Sequence, residues 1–302
     1  MERSATMTDD LAGVAQLLVA GGRGIIALDE SPHPAYPELV ISTPGVERYV
    51  AGAILDDETV RRTTSDGRRF VEVLRGRRIV PGVRVTSRTA NIAEYAALGA
   101  GIAVMRGEPR RLARFAARCQ RSGIVPIVEP EVKLGTAAAA EETARTATRA
   151  LRELFYELAE ADVALEALIL SAEMIVPAGA AARRATTAEV VSATLRVLGA
   201  TVPVAVAGVV FLTGAQQDRA ATERLCALNR TMPRRRPWPL TFTYDRALQQ
   251  AVLDAWRGRP ERIAEAQRVL LHRAHCSGLA ACGAYTAKSE EQLETFAPPL
   301  AA

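Results

Sequence analysis

Short apolar runs that end in polar or charged residues alternate along the chain with stretches of helical periodicity. Runs covered on both faces read as buried strands of a parallel sheet. They fall at Gly24 to Asp29 (GIIALD), Val50 to Leu55 (VAGAIL), Val80 to Val85 (VPGVRV) and Ile102 to Arg106 (IAVMR). A fifth lies within Gly123 to Leu134 (GIVPIVEPEVKL), followed by Leu165 to Ser171 (LEALILS), Val204 to Leu212 (VAVAGVVFL) and Leu240 to Tyr244 (LTFTY). Helices are expected at Leu11 to Ala20, Ala90 to Leu98, Pro109 to Arg121, Ala137 to Glu160, Thr187 to Leu198 and Gln217 to Asn229. Two more, Arg246 to Arg257 and Pro260 to Cys276, close the pattern. Eight strands with helical connections predict a (β/α)8 TIM barrel, whose sites lie at the C-terminal ends of the strands. A doubly wound sheet is the alternative, but no G-x-G-x-x-G follows the first strand, and Gly21-Gly22-Arg23-Gly24 precedes it instead. The expectation is one barrel domain over residues 1–302, with the barrel at about 8–286 and a C-terminal tail at 287–302.

Composition fits that picture: 302 residues, 49% hydrophobic and 24% charged, with mean hydropathy +0.05, are enough for a large buried core. No apolar run approaches the roughly 20 residues that span a bilayer, and MERSATMTDD does not read as a signal peptide, so the cytoplasm is the expected compartment. Cys119, Cys226, Cys276 and Cys282 are scattered and read as buried thiols rather than a disulfide framework or a zinc site. The net charge of +4 raises the question of a polyanion partner. The arginines are interspersed with acids, however, and Arg234 to Arg236 sit between Pro233 and Pro237 as a solvated loop, so nucleic acid is discounted. Of 38 basic residues only Lys133 and Lys288 are lysines, which leaves few groups for amine chemistry.

Candidate chemistry begins with Glu129 and Glu131. Two residues apart on an apolar strand, they point to the same face, as the acids of a site would. Five stretches then carry a resemblance: GIIALDES (Gly24 to Ser31), GIVPIVEPEV (Gly123 to Val132), GVVFLTGAQ (Gly208 to Gln216), PWPLTFTYDRALQ (Pro237 to Gln249) and CSGLAACGAY (Cys276 to Tyr285). In this order, over residues 10 to 286, they are similar to class I fructose-bisphosphate aldolase. The resemblance implies a (β/α)8 barrel and a homo-oligomer, tetramer or dimer.

The family's chemistry rests on a strand-six lysine that forms a Schiff base with the substrate ketone, and the resemblance puts Ser171 at that position. It puts Val104 at a second active-site lysine and Arg84 at a third. Asp29, Glu129 and Glu131 match the family's acids, and Arg106 matches a substrate-contacting arginine. The phosphate-binding turns correspond to Thr213-Gly214-Ala215 and Asp245-Arg246. Either Asp245 turns outward and a phosphate site survives, or it neutralises Arg246 and phosphate is disfavoured. Glu173 adds a further acid. Arg84 and Arg106, raised pKa values, a cationic substrate or a divalent metal (Mg or Mn) would offset such a cluster. The chain is also shorter than the family between Ser31 and Ala53 and between Arg84 and Gly101, which trims loops over the site. His33 in the first of these reads as solvated, with an acid/base role as the alternative. Lys133 is the candidate for a relocated Schiff base, ahead of Lys288.

The leading expectation is a lyase-type enzyme, of a specialised biosynthetic pathway, without the Schiff-base lysine. Carboxylate and arginine acid/base chemistry would act on a small polar substrate resembling a sugar, keto acid or amino acid. Dehydration and isomerisation are alternatives to aldol chemistry. A non-catalytic metabolite- or protein-binding descendant and a fructose-bisphosphate aldolase that uses Lys133 are the alternatives in kind.

Overall fold

The structure is a computed structural model that describes residues 2–29, 33–86, 91–132, 138–179, 184–214, 216–231, 237–244 and 246–295. Eight parallel strands, β1 (Gly24–Ala27), β2 (Val50–Leu55), β3 (Val80–Arg84), β4 (Ile102–Gly107), β5 (Val125–Pro130), β6 (Ile169–Glu173), β7 (Gly208–Leu212) and β8 (Leu240–Tyr244), follow one another around a closed barrel. Closure pairs Ile25 with Thr243 and Ile26 with Tyr244. The TIM barrel expected from the alternating pattern is therefore the observed fold.

Helix α1 (Glu2–Val19) plugs the end of the barrel where the strands begin. Its Leu11, Ala15, Leu18 and Val19 join Ile25, Ile102, Val125 and Ile169 in one buried interior cluster. Small residues make room for the plug. A Cβ at Gly52 would lie 2.8 Å from the Leu18 side chain, and one at Gly208 would lie 2.9 Å from that of Val19. The helices α2 (Tyr36–Ser42), α3 (Phe70–Gly76), α4 (Ile92–Leu98), α5 (Pro109–Arg121), α6 (Ala140–Glu160), α7 (Thr187–Thr201), α8 (Asp218–Arg230), α9 (Arg246–Trp256) and α10 (Ile263–Ala281) complete the described α-helices. Local chemistry sets several of their ends. Thr186 and Glu189 form a reciprocal capping box at α7, Asn91 caps α4 through the Glu94 amide, and Gly99, at φ 100°, ends it. In α5, Leu112, Phe115, Ala116 and Cys119 recur at helical spacing and are buried.

The observed bounds depart most from those expected at β6 and β7, and β1 ends at Ala27, two residues short of the expected Asp29. Leu165–Ala167 is a 3-10 turn rather than the start of β6. The Gln120 side chain receives the Ala164 amide at 3.0 Å and donates to the carbonyls of Ala164 and Ala167, which holds that segment out of the sheet. At β7 the apolar residues Val204 to Val206 precede the strand. The Pro203 carbonyl there accepts from the Val206 amide and the Trp238 indole, and Val204 is 75% exposed. The short α2 and α3 were not foreseen, and α1 starts well before Leu11.

Past α10, Ala287–Thr295 is a 3-10 segment packed on that helix rather than a loose tail. Arg273 donates to both oxygens of Glu290 at 2.8 and 2.7 Å, Tyr285 Oη donates to Glu290 at 2.6 Å, and His272 Nε2 lies 3.0 Å from the Ser289 carbonyl. Burial alone would raise the Glu290 pKa, but the Tyr285 and Arg273 hydrogen bonds outweigh it and hold the carboxyl below its usual range. Burial and the same carboxylate push Tyr285 up to about 12. All four cysteines are free; Cys119, Cys226 and Cys276 are buried and Cys282 is exposed. Among the described residues no helix is long and apolar enough to cross a membrane.

Candidate active site

Strand alternation decides which side chains reach the barrel mouth. On β4, Ile102 and Val104 belong to the interior cluster, so Arg106, two residues on, stands at the rim. On β5, Val125 and Ile127 are interior and Glu129 follows, 6% exposed. On β6, Ile169 is interior, Ser171 lies next above it at 2% exposure, and Glu173 is exposed at the strand end. The strand registers Arg84↔Val104 and Arg106↔Glu129 then bring these rows together. Carrying the β5–β6 register Val128↔Leu170 one residue further sets Glu129 beside Ser171.

An ion-pair network spans this mouth. Arg84 Nε donates to Asp29 Oδ2 in a short contact, Arg84 Nη1 lies 3.8 Å from Glu129 Oε2, and Arg106 Nη1 lies 3.4 Å from Glu129 Oε1. Asp29 follows β1 by two residues, Arg84 and Glu129 lie on β3 and β5, and alternate strands share a layer in a TIM barrel. Val104 is next to Arg84 in the β3–β4 register. The Asp29 and Glu129 side chains are 3% and 8% exposed, Arg84 is at 20% and Arg106 at 55%.

The other expected site residues distribute unevenly. Glu131 lies one residue past β5 and has no ion pair among the described residues. Thr213 is buried just after β7, where its carbonyl accepts from the Gln216 amide and side chain. Gly214 follows at φ +58°, and a Cβ there would come 3.4 Å from the Glu173 carboxylate, so the ends of β6 and β7 meet. Arg246 begins α9, and its side chain, like Asp245 and Lys133, falls outside the described residues. Lys288 is exposed on the segment packed against α10, outside the barrel. His33 does not sit free in solvent. Its ring meets Trp256 edge-on at 4.4 Å and its Nδ1 accepts from the Ala35 amide.

Supporting contacts that no motif announced brace the mouth from behind. Gln249 donates to the Ala27 carbonyl at 2.8 Å, and Arg224 links Gln216 to the Ala185 carbonyl. These residues are ordinary helix positions in sequence, and only the tertiary fold gives them their partners. As metal donors, the described mouth carboxylates do not converge. Asp29 and Glu129 are bridged by Arg84, and the one group of three possible donors found among the described residues is His272, Cys276 and Glu290, on the outside of the barrel.

The family model "Fructose-bisphosphate aldolase class-I" matches residues 32–102 and 99–297. Chloroplastic fructose-bisphosphate aldolase 3 of Arabidopsis thaliana is 33% identical, covering 96% of this chain and 87% of its own. A probable class 1 fructose-bisphosphate aldolase of Xylella fastidiosa is 37% identical, over 91% of this chain and 98% of its own. The structure of Plasmodium falciparum fructose-bisphosphate aldolase superposes with a TM-score of 0.85 at 32% identity, covering 93% of this chain and 96% of that one. The Arabidopsis match runs over 342 residues, 40 more than this chain has, so at least that many positions of the relative have no counterpart here. The acids and arginine at the ends of β1, β4 and β5 thus sit in a barrel shared with these proteins over nearly its whole length, and the chain belongs to the class I fructose-bisphosphate aldolase family.

Proposed function

We propose that this chain is a lyase-type enzyme of the aldolase family that works without a Schiff base on β6, on a small polar substrate with a carbonyl group. The observation that carries the reading is the Asp29–Arg84–Glu129–Arg106 network, set beside a β6 that reads ILSAE and carries no amine. Ser171, at the position the resemblance assigns to the lysine, is a hydroxyl that donates a hydrogen bond and cannot form an iminium. The electron sink is then electrostatic. Glu129 takes the proton from the substrate hydroxyl, the carbon–carbon bond breaks, and its electron pair becomes an enolate whose oxygen faces a guanidinium. Glu129 afterwards returns the proton to carbon. Arg106, exposed and 3.4 Å from Glu129, is the partner that the substrate draws away to free the carboxylate. Asp29 holds Arg84 in place, and Glu173, Thr213 and Gly214 contact the substrate from β6 and β7. Glu131 and Asp245 with Arg246 complete the set. The proposed steps draw on no metal, since Asp29 and Glu129 are paired with arginines; a divalent ion (Mg or Mn) at the remaining mouth carboxylates is the alternative way to offset their charge. The enzyme is cytoplasmic, a dimer or tetramer, and serves a specialised biosynthetic pathway, with dehydration or isomerisation as the neighbouring reactions of the same site.

Borohydride trapping with a panel of phosphorylated and free ketoses and aldehydes, followed by peptide mapping, is the test. No adduct, together with a ligand that raises the melting temperature and a Glu129→Gln variant that folds but does not turn over, is the expected result. A reduced adduct on Lys133 or Lys288 would overturn it in favour of relocated iminium chemistry. One observation favours a second reading, a non-catalytic metabolite binder: Asp29 and Glu129 both pair with Arg84. That reading requires Glu129→Gln to leave cellular function intact.

A further inference from the structure

Helix α5 contains no acidic residue, and its Arg110, Arg111, Arg114 and Arg118 are all exposed. Together with Glu108 they border a groove of about 480 Å³ on the outer wall of the barrel, beside α4. Its floor is apolar, formed by Val85, Ile92, Met105 and Phe115. Several arginines elsewhere, Arg61, Arg68, Arg77, Arg262 and Arg273, each have a carboxylate partner. Among the described residues Arg110, Arg111 and Arg114 have none, and like charges one turn apart on a helix repel. The groove is separate from the barrel mouth. Val85 follows Arg84 and Met105 precedes Arg106, and neighbours along a strand face opposite sides of the sheet.

From this juxtaposition we propose that the α4–α5 groove is a second ligand site, built for a small organic anion with an apolar body, such as an aryl or acyl phosphate. The guanidiniums supply forked donors for the anion, and the floor accepts the apolar part, which a bare ion would leave wet. The volume lies within the range of about 300–1,000 Å³ usual for small-molecule sites. The larger groove between α6 and α7 is the weaker candidate, because Arg196 there is tied to Glu141 at 3.0 Å and Glu153 adds a second acid.

The probe is phenyl phosphate, titrated by calorimetry and ligand-observed NMR, with inorganic phosphate and phenol as single-feature controls. Wild type and the mouth variant Arg106→Glu are expected to bind it alike, about tenfold more tightly than either control. The double variant Arg111→Glu/Arg114→Glu should lose about tenfold in affinity, and Arg114→Ala, the milder change, about threefold. Both alter exposed side chains, and circular dichroism checks that they fold. Three results would overturn the proposal: loss of binding in Arg106→Glu alone, which assigns the probe to the mouth; equal binding of inorganic phosphate; or a change in sedimentation mass on Arg111→Glu/Arg114→Glu, which makes the groove a contact between copies.

Discussion

Arg84 is where the chemistry of the mouth is concentrated, because one guanidinium is shared by Asp29 and Glu129, both almost wholly buried. Its replacement by leucine leaves two buried carboxylates facing each other. The expected cost is about 3 kcal/mol, read from urea unfolding, and Arg84→Lys should recover part of it because an ammonium keeps the charge but not the fork. Thiol reactivity gives an independent check on burial at this scale. Burial raises the Cys119 pKa and, with Glu290, pushes Cys276 to about 11. Native protein should therefore react with a disulfide reagent at Cys282 alone and at all four thiols after denaturation. Part of the site was legible at this scale: the parity of Glu129 on an apolar strand follows from sequence, whereas Arg84 and Arg106 were one of several ways of offsetting the acids that the sequence left open. The bridge from β1 across to β5 was not legible, since it depends on the layering of alternate strands in the closed barrel.

Elements form where local signals and packing agree, and shift where a distant side chain intervenes. The bounds of β2 and α5 coincide with those expected, because each apolar run is buried along its whole length or on one clean face. The starts of β6 and β7 differ from those the pattern predicts because their apolar residues continue into segments that Gln120 and Pro203 hold outside the sheet. Two element contacts offer tests. Leu18→Ala, which hollows the α1 plug, should cost about 3 kcal/mol in thermal or urea unfolding. Glu290→Gln, which loosens the segment clamped on α10, should cost about 2 kcal/mol at pH 7. Because the Glu290 pKa is lowered in the folded state, its contribution is present above the pKa of an unfolded glutamate and is lost as pH falls through the folded value. Unfolding at pH 7 and pH 3 should therefore show the wild type and Glu290→Gln converging in acid.

The barrel as a whole joins the beginning of the chain to its end. β1 pairs with β8, Thr241 Oγ1 donates to the Arg23 carbonyl across 218 positions, and Gln249 reaches the Ala27 carbonyl across 222. The recurrence of strand and helix along the sequence implied eight units; nothing local implied the register in which the last meets the first. At least 40 positions of a relative have no counterpart here, yet the eight-stranded ring is closed. Closure has a consequence for synthesis. A chain emerging from the ribosome offers β1 its second neighbour only after Tyr244 has left the exit tunnel, so for most of translation one edge of the first strand stays open. The nascent protein must then be protected from pairing with other copies at that edge until its final quarter is released.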